Sequence, residues 1–319
     1  GPVARRALGP GLVVALDDRP LSQPKIDRLV DRVRREVDQG LAPAVQIAVA
    51  RHGQVVVDAT FGAPDESRFV VYSATKALVA GALWRLIDRG LVDVEAPCAR
   101  YVPEFGTNGK DVVTVAQVLT HTGGFPYAPL GPPRWETREG RLEAFSRWKL
   151  TFDPGSTFMY HPTAGHWILA EIIASVTGSA YADAIEELVT GPLGLDRLLG
   201  IGAEDQAGIV DAVAVGERPT PAEMEETFGI AVDLDALLPA DVAVNALLHL
   251  NDPAARAIGV PGGGGVMRAA DLALVYQGFL HNPGAMWSEQ VLAAGTAEAR
   301  VTLPDWSGVP SNRTLGLIL

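Results

Sequence analysis

The 319-residue sequence predicts an α+β protein in which a sheet-containing part is interrupted by a mainly helical one. Three observations carry that prediction. An amphipathic helical pattern near the N-terminus runs directly into a hairpin pattern. From Phe69 the texture turns helical and stays so over a long stretch. A Gly-rich punctuation at 261–266 then precedes one more helix.

Taken in order, residues 24–39 place Ile26, Leu29, Val30, Val33 and Val37 on one helical face, and Gly40 follows as a C-cap. VQIAVA (45–50) and VVVDATFG (55–62) are β-branched runs around Arg51-His52-Gly53-Gln54, which reads as a hairpin with the preceding helix packed on it. The stretch RFVVYSATKALVAGALWRLIDRG is small or apolar on nearly every side until Arg85, the pattern of a buried helix, and Gly90 ends it. A short helix capped by Thr114 is expected over 114–120, then a Pro/Gly-rich, lid-like loop over 123–133. Further helices are expected at 139–149, 163–177, 180–190 and 269–281, with 216–223 a loop and 232–250 helical in part. No internal repeat or low-complexity tract interrupts this layout.

Composition narrows function. Lys+Arg number 26 and Asp+Glu 38, a formal charge of -12. A nucleic-acid partner needs a basic face to displace counterions from phosphates, and an anionic membrane surface is disfavoured on the same ground. Cys98 is the single cysteine, so an intrachain disulfide and a Cys-rich metal site are excluded. No stretch reaches the ~18 apolar residues of a membrane span. The N-terminal apolar run is broken by Gly9, Pro10 and Gly11 and leads into Asp17-Asp18 without a small-residue cleavage pattern. A cytoplasmic location is therefore expected, with export by a signal removed upstream left open. Oligomeric state is not written in the sequence.

Three of the four lysines stand three residues after a serine: Ser22–Lys25, Ser73–Lys76 and Ser146–Lys149. That spacing can set a hydroxyl and an amine one helical turn apart, where a buried amine can take the serine proton. Context separates the three. Ser22 stands at the start of the amphipathic helix and reads as its N-cap, with Lys25 solvated. Ser146 and Lys149 lie among Arg141, Glu143 and Arg147, on a solvated face. Ser73 lies where a β-rich run turns into the buried helix, and the helix N-terminus favours negative charge there. Lys76 is the lone charge from Val70 to Trp84. Burying a lysine is costly unless it is partnered or neutral, so this pair is the candidate nucleophile and base.

The stretch VVYSATKALVAGALWRLIDRGLVDVEAPCARYVPEF, followed by VTVAQVLTHTGGFP, resembles the serine β-lactamase-related superfamily, and within it the class C-like or family VIII carboxylesterases. The resemblance continues through DPGSTFMYHPTAGHWILAEIIASVTG, GPLGLD and PGGGGVMRAADLALVYQGFL, in consistent order over residues 45–282. It implies a β-lactamase/transpeptidase-like fold: an antiparallel sheet flanked by helices, plus a mainly helical domain. Residues 1–72 and 251–319 would form the sheet-containing domain and 73–250 the helical one, with the nucleophile helix at their interface. It also implies an acyl-enzyme on Ser73, with Lys76 as its partner and no cofactor or metal.

The family's second motif, Y-x-N or a variant, reads Tyr160-His161-Pro162. The tyrosine matches, and a phenol near an ammonium can shuttle a proton. The asparagine is absent, which favours an esterase over a β-lactamase. The third motif, Lys- or His-x-Gly on a later strand, has no match. The sequence stops at RTLGLIL, where the family runs into that strand, so C-terminal strands are expected to be missing. With them would go one oxyanion-hole amide, the other coming from Ser73. Phe125, Tyr127 and Trp135 of the loop region, with His161, are the candidate substrate contacts.

Rival motifs are weaker. Gly262–Gly265 is not followed by Gly-Lys-Ser/Thr, so a phosphate loop is excluded, and close backbone packing is the better account. His161 and His166 are off the helical metal spacing. No G-x-S-x-G elbow exists. The expectation is a carboxylesterase acting on small acyl esters. The alternatives are a β-lactamase, a D-aminopeptidase or an acyltransferase on the same site, or a catalytically inactive binding homologue.

Overall fold

The computed structural model describes residues 19–231 and 244–319. Helix α1 spans Gln23–Asp38, with Ser22 at its N-cap and Pro24 in the first turn, where a missing N–H leaves no bond unmade. Its apolar stripe of Ile26, Val30, Val33 and Val37 is half-buried against the hairpin of β1 (Val45–Arg51) and β2 (Gln54–Phe61). His52 and Gly53 close that hairpin, with φ of 54° and 72°. Two successive positive φ values match the twist of the strands they join.

A second, three-stranded sheet has β3 (Arg68–Val70) at its centre. β4 (Ile209–Val210) pairs parallel to β3, and β5 (Val266–Met267) pairs antiparallel. The expected antiparallel sheet is thus found in β1–β2 and β3–β5, while β4 adds a parallel pair. It does so because the chain returns to β3 only after the long helical stretch and runs along it in the same direction.

The core is built on α2 (Lys76–Asp88), whose Val79, Ala80, Leu83 and Trp84 are fully buried. A helix apolar on every side must be surrounded, and α5 (Ala164–Thr177), α6 (Tyr181–Ile185) and the segments Glu186–Thr190 and Glu289–Thr296 pack against it, while α3 (Val115–Leu119) packs on α5 and α4 (Arg138–Arg147) packs on Pro103–Gly106 and Arg134–Glu136. Thr114 caps α3 through a reciprocal box with Gln117, as its sequence indicates. The expected helix over 180–190 is α6 followed by a wider turn at Glu186–Thr190.

Three short helices escaped the hydrophobic pattern. α7 (Pro221–Phe228) begins inside the expected 216–223 loop, where Thr220 and Glu223 form a capping box ahead of Pro221. Of the helix expected within 232–250, α8 (Val244–Leu248) is described, and 232–243 lie outside the described residues. α9 (Pro253–Ile258) starts at the Asp252 cap, and α11 (Glu289–Thr296) starts at the Ser288 cap. Between them α10 (Ala269–His281) packs on β1 and β2.

Trp84 ties α2 to the C-terminal segments. Its ring lies 5.0 Å from Phe279 and 6.2 Å from Trp287, and its Nε1 donates to the Leu315 carbonyl at 2.8 Å. Gly295 passes so close that an added Cβ would stand 2.3 Å from that indole. Among the described residues no single helix is long and apolar enough to cross a membrane. Cys98 is buried, which pushes its thiol well above the ordinary range.

Candidate active site

Ser73 lies in a 3₁₀ turn, Tyr72–Thr75, that leads directly into α2. The turn is held by a segment remote in sequence. The Val71 N–H donates to the Gly265 carbonyl at 2.9 Å, and the Gly265 N–H donates to Thr75 Oγ1 at 2.8 Å. Thr75 Oγ1 in turn donates to the Tyr72 carbonyl at 2.6 Å. Tyr72 takes φ 46°, a left-handed conformation unusual for an aromatic residue. Strain of this kind persists only where the surroundings over-determine it, and here it aims the following serine outward. Ser73 is exposed while Lys76, three residues on, is buried.

Lys76 Nζ reaches three oxygens. It lies 3.1 Å from Ser73 Oγ, and it donates to the carbonyls of Pro162 at 2.7 Å and Gly262 at 2.6 Å. The two carbonyls occupy two N–H groups and fix the amine, leaving its third position directed at the serine. Tyr160 Oη donates to Ser73 Oγ at 2.9 Å, and Lys76 Nζ lies 5.2 Å from the centre of the Tyr160 ring. Lys76 and Tyr160, grouped with Ser73 in the sequence analysis, therefore converge on its hydroxyl. Ser73 Oγ has an amine and a phenol within hydrogen-bond reach, which is the geometry of an activated nucleophile.

The Gly262 carbonyl reaches Lys76 because residues 261–265 run tightly against the site. A Cβ on Gly262 would lie 3.0 Å from both the Pro162 oxygen and Thr163 Cα, and 3.6 Å from Lys76 Nζ. One on Gly265 would lie 2.7 Å from Thr75 Oγ1. The glycine run thus serves close backbone approach.

Beneath Tyr160 three histidines are buried together. His161 Nε2 accepts from the Phe125 N–H at 3.1 Å, and its Nδ1 donates to the Met159 carbonyl at 2.6 Å. That pattern fits only the neutral ring protonated on Nδ1. Burial holds His161 down at about 4. His121, at φ 60°, lies tilted against Tyr160 with ring centres 4.7 Å apart and accepts the His161 N–H on Nδ1 at 3.1 Å. Burial also pushes His121 and His166 well below the ordinary histidine value. The cluster anchors 159–162, the segment that delivers both Tyr160 and the Pro162 carbonyl.

The remaining sequence candidates fall elsewhere. Phe125 is fully buried, edge-on to His161 at 4.9 Å and stacked on Trp148 at 5.9 Å. Trp135 is in the core between Trp167 and His249. Both rings support the site from within and do not face solvent. His161 has both ring nitrogens engaged, so no ring nitrogen remains for a substrate. Tyr127 alone of the four is exposed, at 53%. Ser22 and Lys25 are exposed at the start of α1. Ser146 Oγ donates to the Glu143 carbonyl at 2.8 Å, and Lys149 is exposed. Neither pair forms a buried couple. Among the described residues no three His, Cys, Asp or Glu side chains converge as a metal site requires.

Comparison with known proteins sets this geometry in context. A family model described as Beta-lactamase matches residues 29–319. The Esterase/beta-lactamase LipL of Mycobacterium tuberculosis is 30% identical over 216 residues, covering 63% of this chain and 44% of that protein. Esterase EstB of Burkholderia gladioli is 30% identical over 238 residues, covering 66% and 58%. The D-alanyl-D-alanine-carboxypeptidase/endopeptidase AmpH of Escherichia coli is 27% identical over 220 residues, covering 63% and 57%. The chain spans about half the length of the curated relatives it matches. Among solved structures, a family VIII carboxylesterase superposes with a TM-score of 0.75 at 25% identity, covering 94% of this chain and 83% of that one. A penicillin-binding protein homologue from Caulobacter crescentus gives a TM-score of 0.73 at 23% identity, covering 94% and 82%.

Proposed function

The chain belongs to the beta-lactamase family, and from that premise we propose that it is a serine hydrolase working through an acyl-enzyme on Ser73, a carboxylesterase for small acyl esters. One observation carries the reading: the exposed Ser73 hydroxyl is flanked by Lys76 Nζ at 3.1 Å and Tyr160 Oη at 2.9 Å.

With two N–H groups on the Pro162 and Gly262 carbonyls, the neutral Lys76 amine keeps its lone pair for the serine. Ser73 Oγ attacks the ester carbonyl as its proton passes to Lys76. The Ser73 backbone N–H supplies one donor to the oxyanion. The tetrahedral intermediate then collapses, the bond to the alcohol breaks, and Tyr160 gives its proton to the departing oxygen. The Lys76 ammonium restores the phenol. Water releases the acid by the reverse proton traffic.

Esterase is favoured over β-lactam hydrolysis by the second motif. Pro162 stands where the resemblance implies an asparagine, and its carbonyl takes over the grip on Lys76. It leaves no side-chain amide for a substrate's own amide group. The name of LipL pairs the two activities and AmpH is named a carboxypeptidase, so amide substrates are the competing reading. The test is turnover of p-nitrophenyl butyrate against nitrocefin by one preparation. Ester turnover should exceed nitrocefin turnover by at least about 10²-fold, a margin that an unpaired polar group in a site readily supplies. Nitrocefin turnover equal to or faster than the ester's would overturn the esterase assignment.

A further inference from the structure

Thr75 has no exposed surface, yet both functions of its hydroxyl are spent on backbone. Oγ1 donates to the Tyr72 carbonyl at 2.6 Å and accepts the Gly265 N–H at 2.8 Å. A valine would fill nearly the same space, so packing alone does not call for a hydroxyl there. A buried hydroxyl is costly unless its hydrogen bonds are made. Thr75 makes both, and each ends on backbone that bears on Ser73 or Lys76.

The Tyr72 carbonyl belongs to the left-handed residue that precedes Ser73. The Gly265 N–H belongs to the run whose Gly262 carbonyl holds Lys76 Nζ at 2.6 Å. Between these two glycines the chain is a tight turn. The Gly263 and Gly264 N–H groups both donate to the Val260 carbonyl, at 3.1 Å and 2.7 Å, and a Cβ on Gly264 would stand 2.7 Å from the Val260 nitrogen. A turn so compact shifts as one piece, so a displacement at Gly265 carries to Gly262. Thr75 and Lys76 are neighbours in sequence. The path from the Thr75 hydroxyl through Gly265 and Gly262 to Lys76 Nζ therefore closes on itself. The second carbonyl on the amine, from Pro162, arrives on the segment that the buried histidines anchor. The two grips on Lys76 come from different segments, and Thr75 ties down the one at Gly262.

Resting on the serine-hydrolase reading above, we propose that Thr75 is a positioning residue whose hydroxyl holds the Gly265 end of the glycine run against the nucleophile turn, so that the Gly262 carbonyl keeps Lys76 Nζ aimed at Ser73. Without the hydroxyl the Gly265 N–H and the Tyr72 carbonyl each lose a buried partner. The run then relaxes from the turn, and the Gly262 carbonyl moves away from the amine. The Val71 N–H, which donates to the Gly265 carbonyl at 2.9 Å, remains as a second tie and limits the movement.

The rate constant for fluorophosphonate labelling of Ser73 reads this directly, followed over hours where Lys76 is absent. Thr75→Val keeps shape and burial and should slow labelling about 10-fold, a part of the roughly 10²-fold that a 1 Å misplacement can cost. Thr75→Ser keeps both hydrogen bonds and should stay within about 3-fold of wild type. In Lys76→Ala there is no amine to aim, so adding Thr75→Val should cost less than about 2-fold more, as expected of residues in one network. Thermal melts identify a valine variant that fails to fold, and Thr75→Ala then takes its place in the same comparison. Thr75→Val labelled at the wild-type rate, Thr75→Ser as slow as Thr75→Val, or an undiminished loss on top of Lys76→Ala would each mean that Thr75 serves the fold alone, and the proposal would fall. Ser73→Ala separates the two levels. Labelling of Ser73→Ala at the wild-type rate would remove the serine-hydrolase reading itself, whereas an unlabelled Ser73→Ala beside an unaffected Thr75→Val removes only the role of Thr75.

Discussion

Lowering the pH should loosen this site from below, because its foundation is three buried neutral imidazoles. His161 is the best defined. An unfolded histidine titrates near 6.5, while the folded His161 is held at about 4 by burial. Between those values the unfolded chain binds the extra proton and the folded chain does not, so stability falls as pH drops from about 6.5 to about 4 and is flat outside that window for this group. The gap corresponds to about 3 kcal/mol, a large part of the roughly 5–15 kcal/mol that holds a domain folded. His121 and His166 act in the same direction. The perturbation that isolates the effect is His161→Gln, followed by urea unfolding at several pH values from 7.5 to 4. At pH 7.5 the variant should be less stable by about 1–3 kcal/mol, since the Phe125 N–H and the Met159 carbonyl lose a buried partner. As pH falls, wild type should lose about 3 kcal/mol more than the variant, and the two curves should converge near pH 4. Parallel curves would refute the reasoning, because they would mean that the imidazole is not held neutral by the fold.

Other outcomes follow from the same geometry. Lys76→Arg keeps a charge but cannot deprotonate, and Tyr160→Phe removes the proton donor; each should cost about 10²–10⁴-fold in kcat/KM, read by ester turnover with circular dichroism unchanged. Gly262→Ala forces apart the strands of backbone that grip Lys76, so ester turnover should fall about 10-fold or more while the melting temperature barely moves. Gly295→Ala drives a methyl into the Trp84 ring and should destabilise by about 1–3 kcal/mol in a denaturant melt, with the site chemistry intact in the molecules that remain folded.

The parts of this molecule that were legible in the sequence are those where one residue reports its own environment. Lys76 was readable because a lone charge in an apolar helix demands a use, and the structure gives it three oxygens. Thr114 announced its capping box, and His52-Gly53 announced its turn. Tyr160 entered only through the family resemblance, since nothing local distinguishes it from a packed tyrosine. The Pro162 and Gly262 carbonyls were invisible, because a backbone oxygen carries no signature of what it will face. The loop aromatics misled in the opposite sense, as Phe125 and Trp135 are drawn into the core by the surface they bury. The strained φ of Tyr72 and His121 had no sequence mark, although each now borders the site. The box of Thr220 and Glu223 was there to be read, but the surrounding Pro and Gly residues made a loop the stronger pattern.

The central claim is that Ser73 is the group that becomes acylated, and it is tested most directly by covalent labelling. The protein would be treated with a fluorophosphonate, its intact mass measured, and the adduct located by peptide mapping. The account predicts a single adduct on the peptide carrying Ser73, absent from Ser73→Ala and slowed in Lys76→Arg. An adduct on Ser22 or Ser146, or labelling of Ser73→Ala at the wild-type rate, would contradict it.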